Sequence, residues 1–230
     1  MRSSNMTRNS PELSARAREI ALEITSWPSV TGTPEEALFA DRLVQYLCEA
    51  GHKNVWKEAI PGDAMGRSNV FALKDCKGTE WWRTIVLAGH FDTVPFSDYG
   101  DLAPLAVHPV VLREAMIAKL EQTGENAFAL ADLKSGDFLP GRGLLDMKSG
   151  LAAGLAAMEA YEGGLSLLLV ATPDEEDRSA GMRAAAPLIA KIAKARGFML
   201  NLLSIWMQFL IRVMARLVAL PRWGPLASNC

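Results

Sequence analysis

The chain has 230 residues, 50% hydrophobic and 22% charged, values of an ordinary globular protein that exclude a disordered, collagenous or low-complexity chain. Its formal net charge of −2 gives no electrostatic reason to expect nucleic acid as a partner. Cys48, Cys76 and Cys230 are too few and too scattered for a disulfide framework or a four-cysteine zinc site, and they point to a reduced, cytoplasmic setting.

Residues 1–10 are polar and lack the apolar core of a secretory signal. Ser10-Pro11-Glu12 reads as a helix start, and Leu13, Ala17, Ile20, Ala21 and Ile24 follow at helical spacing. Thr33-Pro34-Glu35-Glu36 has the capping-box pattern, with Ala37, Leu38, Leu43, Val44 and Leu47 behind it and Gly51 as the stop. Strands are expected at Asn54–Ile60, Ser68–Lys74 and Thr84–Gly89. Residues 96–141 form a long, mostly polar stretch with one helix near Pro109–Gln122. A small-residue helix is expected at Gly150–Tyr161, a strand buried on both faces at Leu165–Thr172, and a helix at Arg178–Arg196. Helices alternating with short apolar strands indicate an α/β domain with a largely parallel sheet.

In such sheets ligands bind beyond the carboxyl ends of the strands, and three polar clusters fall there. They are residues 89–95 (GHFDTVP), residues 141–150 (GRGLLDMKSG) and residues 173–177 (PDEED). An imidazole with several carboxylates is the donor chemistry of a hydrolytic zinc or two-metal site. Each cluster alone has a plainer reading. His90 could be an ordinary strand-end histidine, Asp146 a loop acid or cap, and Asp174–Asp177 a solvated first turn that suits the helix dipole. The glycines of the second cluster could serve turns or packing, and they lack P-loop spacing. A mononuclear phosphoesterase would use the HxD pair and the acids but leaves GRGLLDMKSG unexplained.

Taken together and in this order, GHFDTVP, GRGLLDMKSG and TPDEED resemble the aminoacylase/carboxypeptidase G/acetylornithine deacetylase family of co-catalytic zinc hydrolases. The likeness covers roughly residues 11–197 and is greatest to the arginine-utilisation protein branch. It implies a three-layer α/β sandwich with a mostly parallel central sheet, of zinc-exopeptidase type and truncated. By this resemblance His90 is a zinc ligand, Asp146 the carboxylate shared by two metals, and Glu176 a ligand to one of them. Asp92, on the same side of an extended segment as His90, is the acid that fixes the imidazole. Glu175 is the general base. Cobalt or manganese would accept the same donors. The implied reaction is hydrolysis of an amide bond in a peptide or N-acyl amino acid with a free carboxylate. Arg142, Lys148 and Arg178 are open either to recognise that carboxylate or to be surface charge.

All 26 Asp and Glu residues lie in 1–177, whereas 178–230 holds eight basic residues and no acid. The resemblance calls for two further ligands, an acid beyond the Glu-Glu pair and a late histidine, but no acid follows Asp177 and no histidine follows His108. The expectation is therefore an incomplete catalytic metal-binding domain over 1–197, with 96–141 inserted. Residues 198–230 would be an atypical apolar tail produced by a reading-frame change near 196–200. The lid domain through which family members often form homodimers would be absent, and the fragment inactive. The rival is a non-catalytic protein that keeps the fold and uses the tail to bind a membrane or partner. Residues 198–220 are long enough to span a bilayer, but Arg212 and Arg216 fall inside. Each would cost roughly 2.5–3.5 kcal/mol near the membrane centre, which argues against a span.

Overall fold

Residues 167–171 are apolar without a break, and in strand β4 (Ser166–Thr172) all seven residues are buried. Successive side chains of a strand point to opposite faces, so this run feeds two cores. Leu167, Leu169 and Ala171 pack on one side, and Leu168 and Val170 on the other. A strand that must satisfy helices on both faces has no polar positions to alternate with, which is why its pattern is uniform.

The structure, a computed structural model, describes residues 10–75 and 82–204. Within these, five strands form one sheet in the order β1-β2-β4-β3-β5. They are β1 (Val55–Ala59), β2 (Ser68–Lys74), β3 (Arg83–His90), β4 and β5 (Met199–Ser204). β2 is antiparallel to both β1 and β4, while β3 is parallel to β4 and β5. Four strands therefore run one way and β2 the other, a mostly parallel sheet. Helices α1 (Ser10–Thr25), α2 (Pro34–Glu49) and α5 (Ser149–Ala160) cover one face, burying Ile20, Ile24, Phe39, Leu43, Leu47, Leu155 and Met158. A fully buried side chain of this kind contributes about 1.5–3 kcal/mol. A helix at Ala180–Arg196 covers the other face with Ala185 and Ile189 against Phe71, Val86 and Leu168. These are the three layers expected.

Four local expectations need correction. Thr33 does not cap α2 with its side chain; its hydroxyl donates to the Val30 carbonyl at 2.7 Å. Glu36 does reach back, but it accepts from the Gly32 amide at 2.7 Å, one residue earlier than a capping box requires. The stretch 96–141 holds more order than one helix. A 3₁₀ segment (Ser97–Leu105) precedes α3 (Pro109–Thr123), and α4 (Ala127–Ser135) follows, capped by Asn126, whose Oδ1 accepts from the Ala129 amide at 3.1 Å. With Phe128 at 88% exposure, α4 carries no apolar stripe by which the sequence could announce it. The last helix, α6, starts at Ala180 instead of Arg178, so PDEED is a loop and not a helical first turn. Finally, the opening of the apolar tail joins the sheet as β5 beside β3; the remainder of the tail, with the readings attached to it, lies outside the described residues.

Candidate functional site

β3 and β4 are parallel neighbours, and their register sets His90 beside Thr172 at their carboxyl ends. The residues that leave those ends are therefore adjacent in space although more than eighty positions apart in the chain. The turn Leu144–Lys148, which leads into α5, delivers the second cluster to the same place.

The five expected site residues are brought together around His90, which is buried. Its Nε2 lies 3.1 Å from Asp146 Oδ1 and 3.7 Å from Glu175 Oε2. Its Nδ1 lies 3.1 Å from the backbone carbonyl of Asp92 and 3.4 Å from Asp92 Oδ1. The buried Asp92 carboxylate also accepts from the amides of Glu175 (3.0 Å) and Glu176 (3.1 Å) and from the Thr31 hydroxyl (2.8 Å). One carboxylate thus fixes both the imidazole and the backbone that carries the two glutamates. Asp146 is mostly exposed and Glu175 about one-third exposed.

The electrostatics follow from this crowding. Burial alone would depress the His90 imidazole, but contact with Asp92, Asp146 and Glu175 outweighs it and raises the pKa to about 9. Burial would raise the Asp92 carboxyl, yet the His90 ring, the two amides and the Thr31 hydroxyl hold it below the usual carboxylate range. Glu176 is pushed up by burial, then by the like charge of Asp146, with Glu175 and Asp92 adding to it against His90.

One imidazole with its second nitrogen already engaged, facing carboxylate oxygens, is the donor set a zinc ion takes. Among the described residues, however, no three His, Cys, Asp or Glu side chains are gathered tightly enough to enclose an ion. The donors fit one side of a metal centre.

Sequence reasoning missed the supports of this site. Glu36, Arg67 and Asp174 are buried together at its margin. Glu36 stood in an apparent capping box and Asp174 in the PDEED cluster read as a solvated first turn, patterns that concealed their tertiary roles, and Arg67 gave no sign. Lys148 was open to two readings, and neither holds. It is fully buried, its Nζ donates to the Trp27 carbonyl at 2.6 Å, and it sits 4.7 Å above the Phe39 ring. Burial pushes its ammonium down to about 7. It therefore ties the Asp146 turn to the α1–α2 corner and is not free to meet a substrate. Arg142 pairs with Asp98 and lies 5.2 Å from the Tyr99 ring centroid, fastening the inserted segment to the same turn. Arg178 is exposed, 3.4 Å from Asp177.

The first turn of α6 lies against the β4–α6 loop with no room at Gly181, where a methyl group would stand 2.4 Å from the Pro173 carbonyl and 2.9 Å from Asn69 Oδ1. Because the obstruction is backbone, Gly181→Ala is expected to cost about 1–3 kcal/mol, read as a lower urea midpoint. A midpoint equal to that of the wild type would show that the loop gives way freely.

The profile describing Peptidase family M20/M25/M40 matches residues 86–206, just over half of the chain. Among curated proteins, YqjN of Bacillus subtilis is 33% identical over 74% of this chain and 31% of its own length. Protein RocB of the same organism is 30% identical over 79% of this chain and 33% of its own length. Succinyl-diaminopimelate desuccinylase of Wolinella succinogenes is 32% identical over 79% of this chain and 39% of its own length. The chain spans about a third of the length of these relatives. Among solved structures, the dipeptidase Dug1p of Saccharomyces cerevisiae superposes with a TM-score of 0.60 at 13% identity, covering 86% of this chain and 40% of that one. Human carnosine dipeptidase 1 gives 0.56 at 13% identity, covering 85% and 39%. At these identities the structural likeness speaks to the fold alone.

Proposed function

The chain belongs to peptidase family M20/M25/M40, and on that premise we propose that it is built for metal-assisted hydrolysis of an amide bond, in a peptide or an N-acyl amino acid. The observation that carries this reading is the convergence on His90, with Asp146 and Glu175 facing Nε2 while Asp92 grips Nδ1 and the amides of both glutamates. His90, Asp146 and Glu176 would hold the metal, zinc before cobalt or manganese. A bound divalent cation supplies positive charge that polarises the scissile carbonyl and acidifies water.

The chain's own residues do the rest. Asp92 keeps the imidazole in one orientation and ties it to the glutamate loop. Glu175, left free of backbone duties at its carboxylate, takes a proton from the attacking water. It then returns that proton to the departing amine, so that the bond broken is C–N and the products are an acid and an amine. A cavity of about 370 Å3 opens beside Glu176, with Met65, Val94 and Pro95 as apolar wall and Thr31 at its rim. It offers space for the substrate side chain or acyl group. A substrate carboxylate is part of this reading, but neither Lys148 nor Arg142 is free to receive it.

The test uses the full chain stripped with a chelator and resupplied with zinc, cobalt or manganese. Metal content per chain and hydrolysis of a panel of N-acyl amino acids and dipeptides are then measured. Retained metal that His90→Ala abolishes, with hydrolysis that stops on chelation and returns on resupply, is the expected result. A folded chain that keeps no metal and cleaves nothing would overturn the reading in favour of a non-catalytic protein of this fold.

A further inference from the structure

The loop that carries Glu175 and Glu176 has no ladder of its own to hold it. It leaves β4 at Pro173 and enters α6 at Ala180, and Asp174 and Ser179 both sit in the left-handed region, with φ of 67° and 53°. Residues other than glycine rarely adopt that conformation unless neighbours impose it. The neighbours here are carboxylates. The Asp174 amide donates to Glu36 Oε1 at 2.9 Å, the next two amides donate to Asp92, and the Ala180 amide donates to Asp174 Oδ2 at 2.9 Å. Every one of these acceptors is buried, so water does not compete for the bonds.

Asp92 touches His90 and is accounted for by the site. Glu36 and Asp174 touch none of the proposed ligands, yet Glu36 is completely buried at the N-terminal end of α2. Arg67 lies between them, with its guanidinium 2.5 Å from Asp174 Oδ1 and 3.3 Å from Glu36 Oε2. The guanidinium is itself braced by Asp63 at 2.7 Å. Glu36 also holds the Gly32 amide, next to the Thr31 whose hydroxyl bonds Asp92. The two anchoring carboxylates, Glu36 and Asp92, are thereby joined through one turn of chain, and they grip consecutive amides of the same loop.

We propose that Glu36 is a positioning residue for the Glu175–Glu176 pair, acting through the Asp174 amide and through the Arg67–Asp174 contact. It sets where the pair points and touches no substrate. The task of the pair rests on the reading above; the positioning of the loop does not.

Glu36→Gln preserves shape and one carbonyl acceptor, but it loses the charge facing Arg67 and an acceptor for Gly32. Hydrogen exchange of the full-length variant, followed by mass spectrometry, is compared for residues 174–180 and for β4. The expected result is exchange at least tenfold faster in 174–180, with β4 unchanged. Cobalt(II) titration of the same samples is expected to show at least tenfold weaker binding and an altered visible absorption band. Unchanged protection in 174–180, or equal loss in the loop and in β4, would overturn the proposal, the second because the network would then merely hold the fold. If Glu36→Gln does not fold, Asp174→Asn, which weakens the same loop from its other end, carries the same exchange comparison. A wild-type chain that binds no cobalt would sink the metal reading and leave the exchange result to decide the positioning.

Discussion

Arg67→Met is expected to lower stability at neutral pH by about 3–5 kcal/mol, enough to unfold a marginally stable domain. The guanidinium meets Asp63 through Nε and Nη2, and Glu36 and Asp174 through Nη1. Methionine of similar length fills the space but leaves the buried carboxylates of Glu36 and Asp174, with the partly buried Asp63, without a cation. The loss is thus chiefly the cost of the groups left behind. Its pH dependence identifies the cause. In the wild type, hydrogen bonds from Arg67 hold the Asp63 carboxyl below its ordinary value. That stabilisation is present above the unfolded carboxylate range and is lost as pH falls through the lower folded value. In the variant the sign reverses. Carboxylates stranded by burial bind protons more readily folded than unfolded, so stability is present at low pH and lost as pH rises through the raised folded values. Urea midpoints of Arg67→Met should therefore rise more steeply between pH 7 and pH 5 than those of the wild type, in which burial already holds Glu36 and Glu176 above the ordinary carboxylate range and His90 is raised by its carboxylate neighbours. A variant as stable as the wild type at pH 7 would show that the guanidinium is dispensable.

Glu175→Gln is expected to leave metal content and fold unchanged and to reduce turnover of the metal-loaded chain by roughly 10²–10⁴-fold, the usual contribution of a positioned general base. The fold should survive because the contact that holds this residue is its backbone amide on Asp92, which glutamine keeps. Metal should survive because the amide side chain changes neither His90 nor Asp146, whose mutual approach of 3.1 Å is independent of it. The measurement is kcat alongside metal content. Near-normal turnover would remove Glu175 from the role of base, and loss of metal would instead make it a ligand.

What the sequence disclosed and what it hid separate along a physical line. Uniform apolar runs and helical spacing are local signals, so β2, β3, β4, α2 and α3 were legible to within a residue or two. His90, Asp92, Glu175 and Glu176 were legible as clusters because they lie at or just beyond strand ends, where a parallel sheet places chemistry; Asp146 follows no strand but sits in the turn before α5, and it was legible through the resemblance carried by GRGLLDMKSG. Arg67 gave no sign, since its partners Glu36 and Asp174 are 31 and 107 positions away. Lys148 read as a charged residue in a glycine-rich turn, because nothing in its neighbourhood along the chain foretells the Trp27 carbonyl and the Phe39 ring. The start of α6 was misplaced for a related reason. Arg178 and Ser179 suit a helix by type, but the left-handed backbone at Ser179, held from Asp174, postpones it.

The strand order also governs how such a chain can be assembled. Among the described strands, both hydrogen-bonded neighbours of β3 come later in the chain, β4 by more than seventy positions and β5 by more than a hundred. β2 can pair with β1 as soon as both are made, but β3 emerges with no strand beside it. Synthesis of β4 joins the two parts of the sheet, because it enters between β2 and β3 and supplies both helical layers with their central strand, and β5 then pairs with the remaining edge of β3. Contacts of such long sequence separation form slowly. Until residue 172 has been made, β3 presents an unpaired apolar edge that invites wrong pairing. His90, at the end of that edge, and the glutamates that follow β4 can meet only after this closing step. The site is among the last parts of the molecule to form.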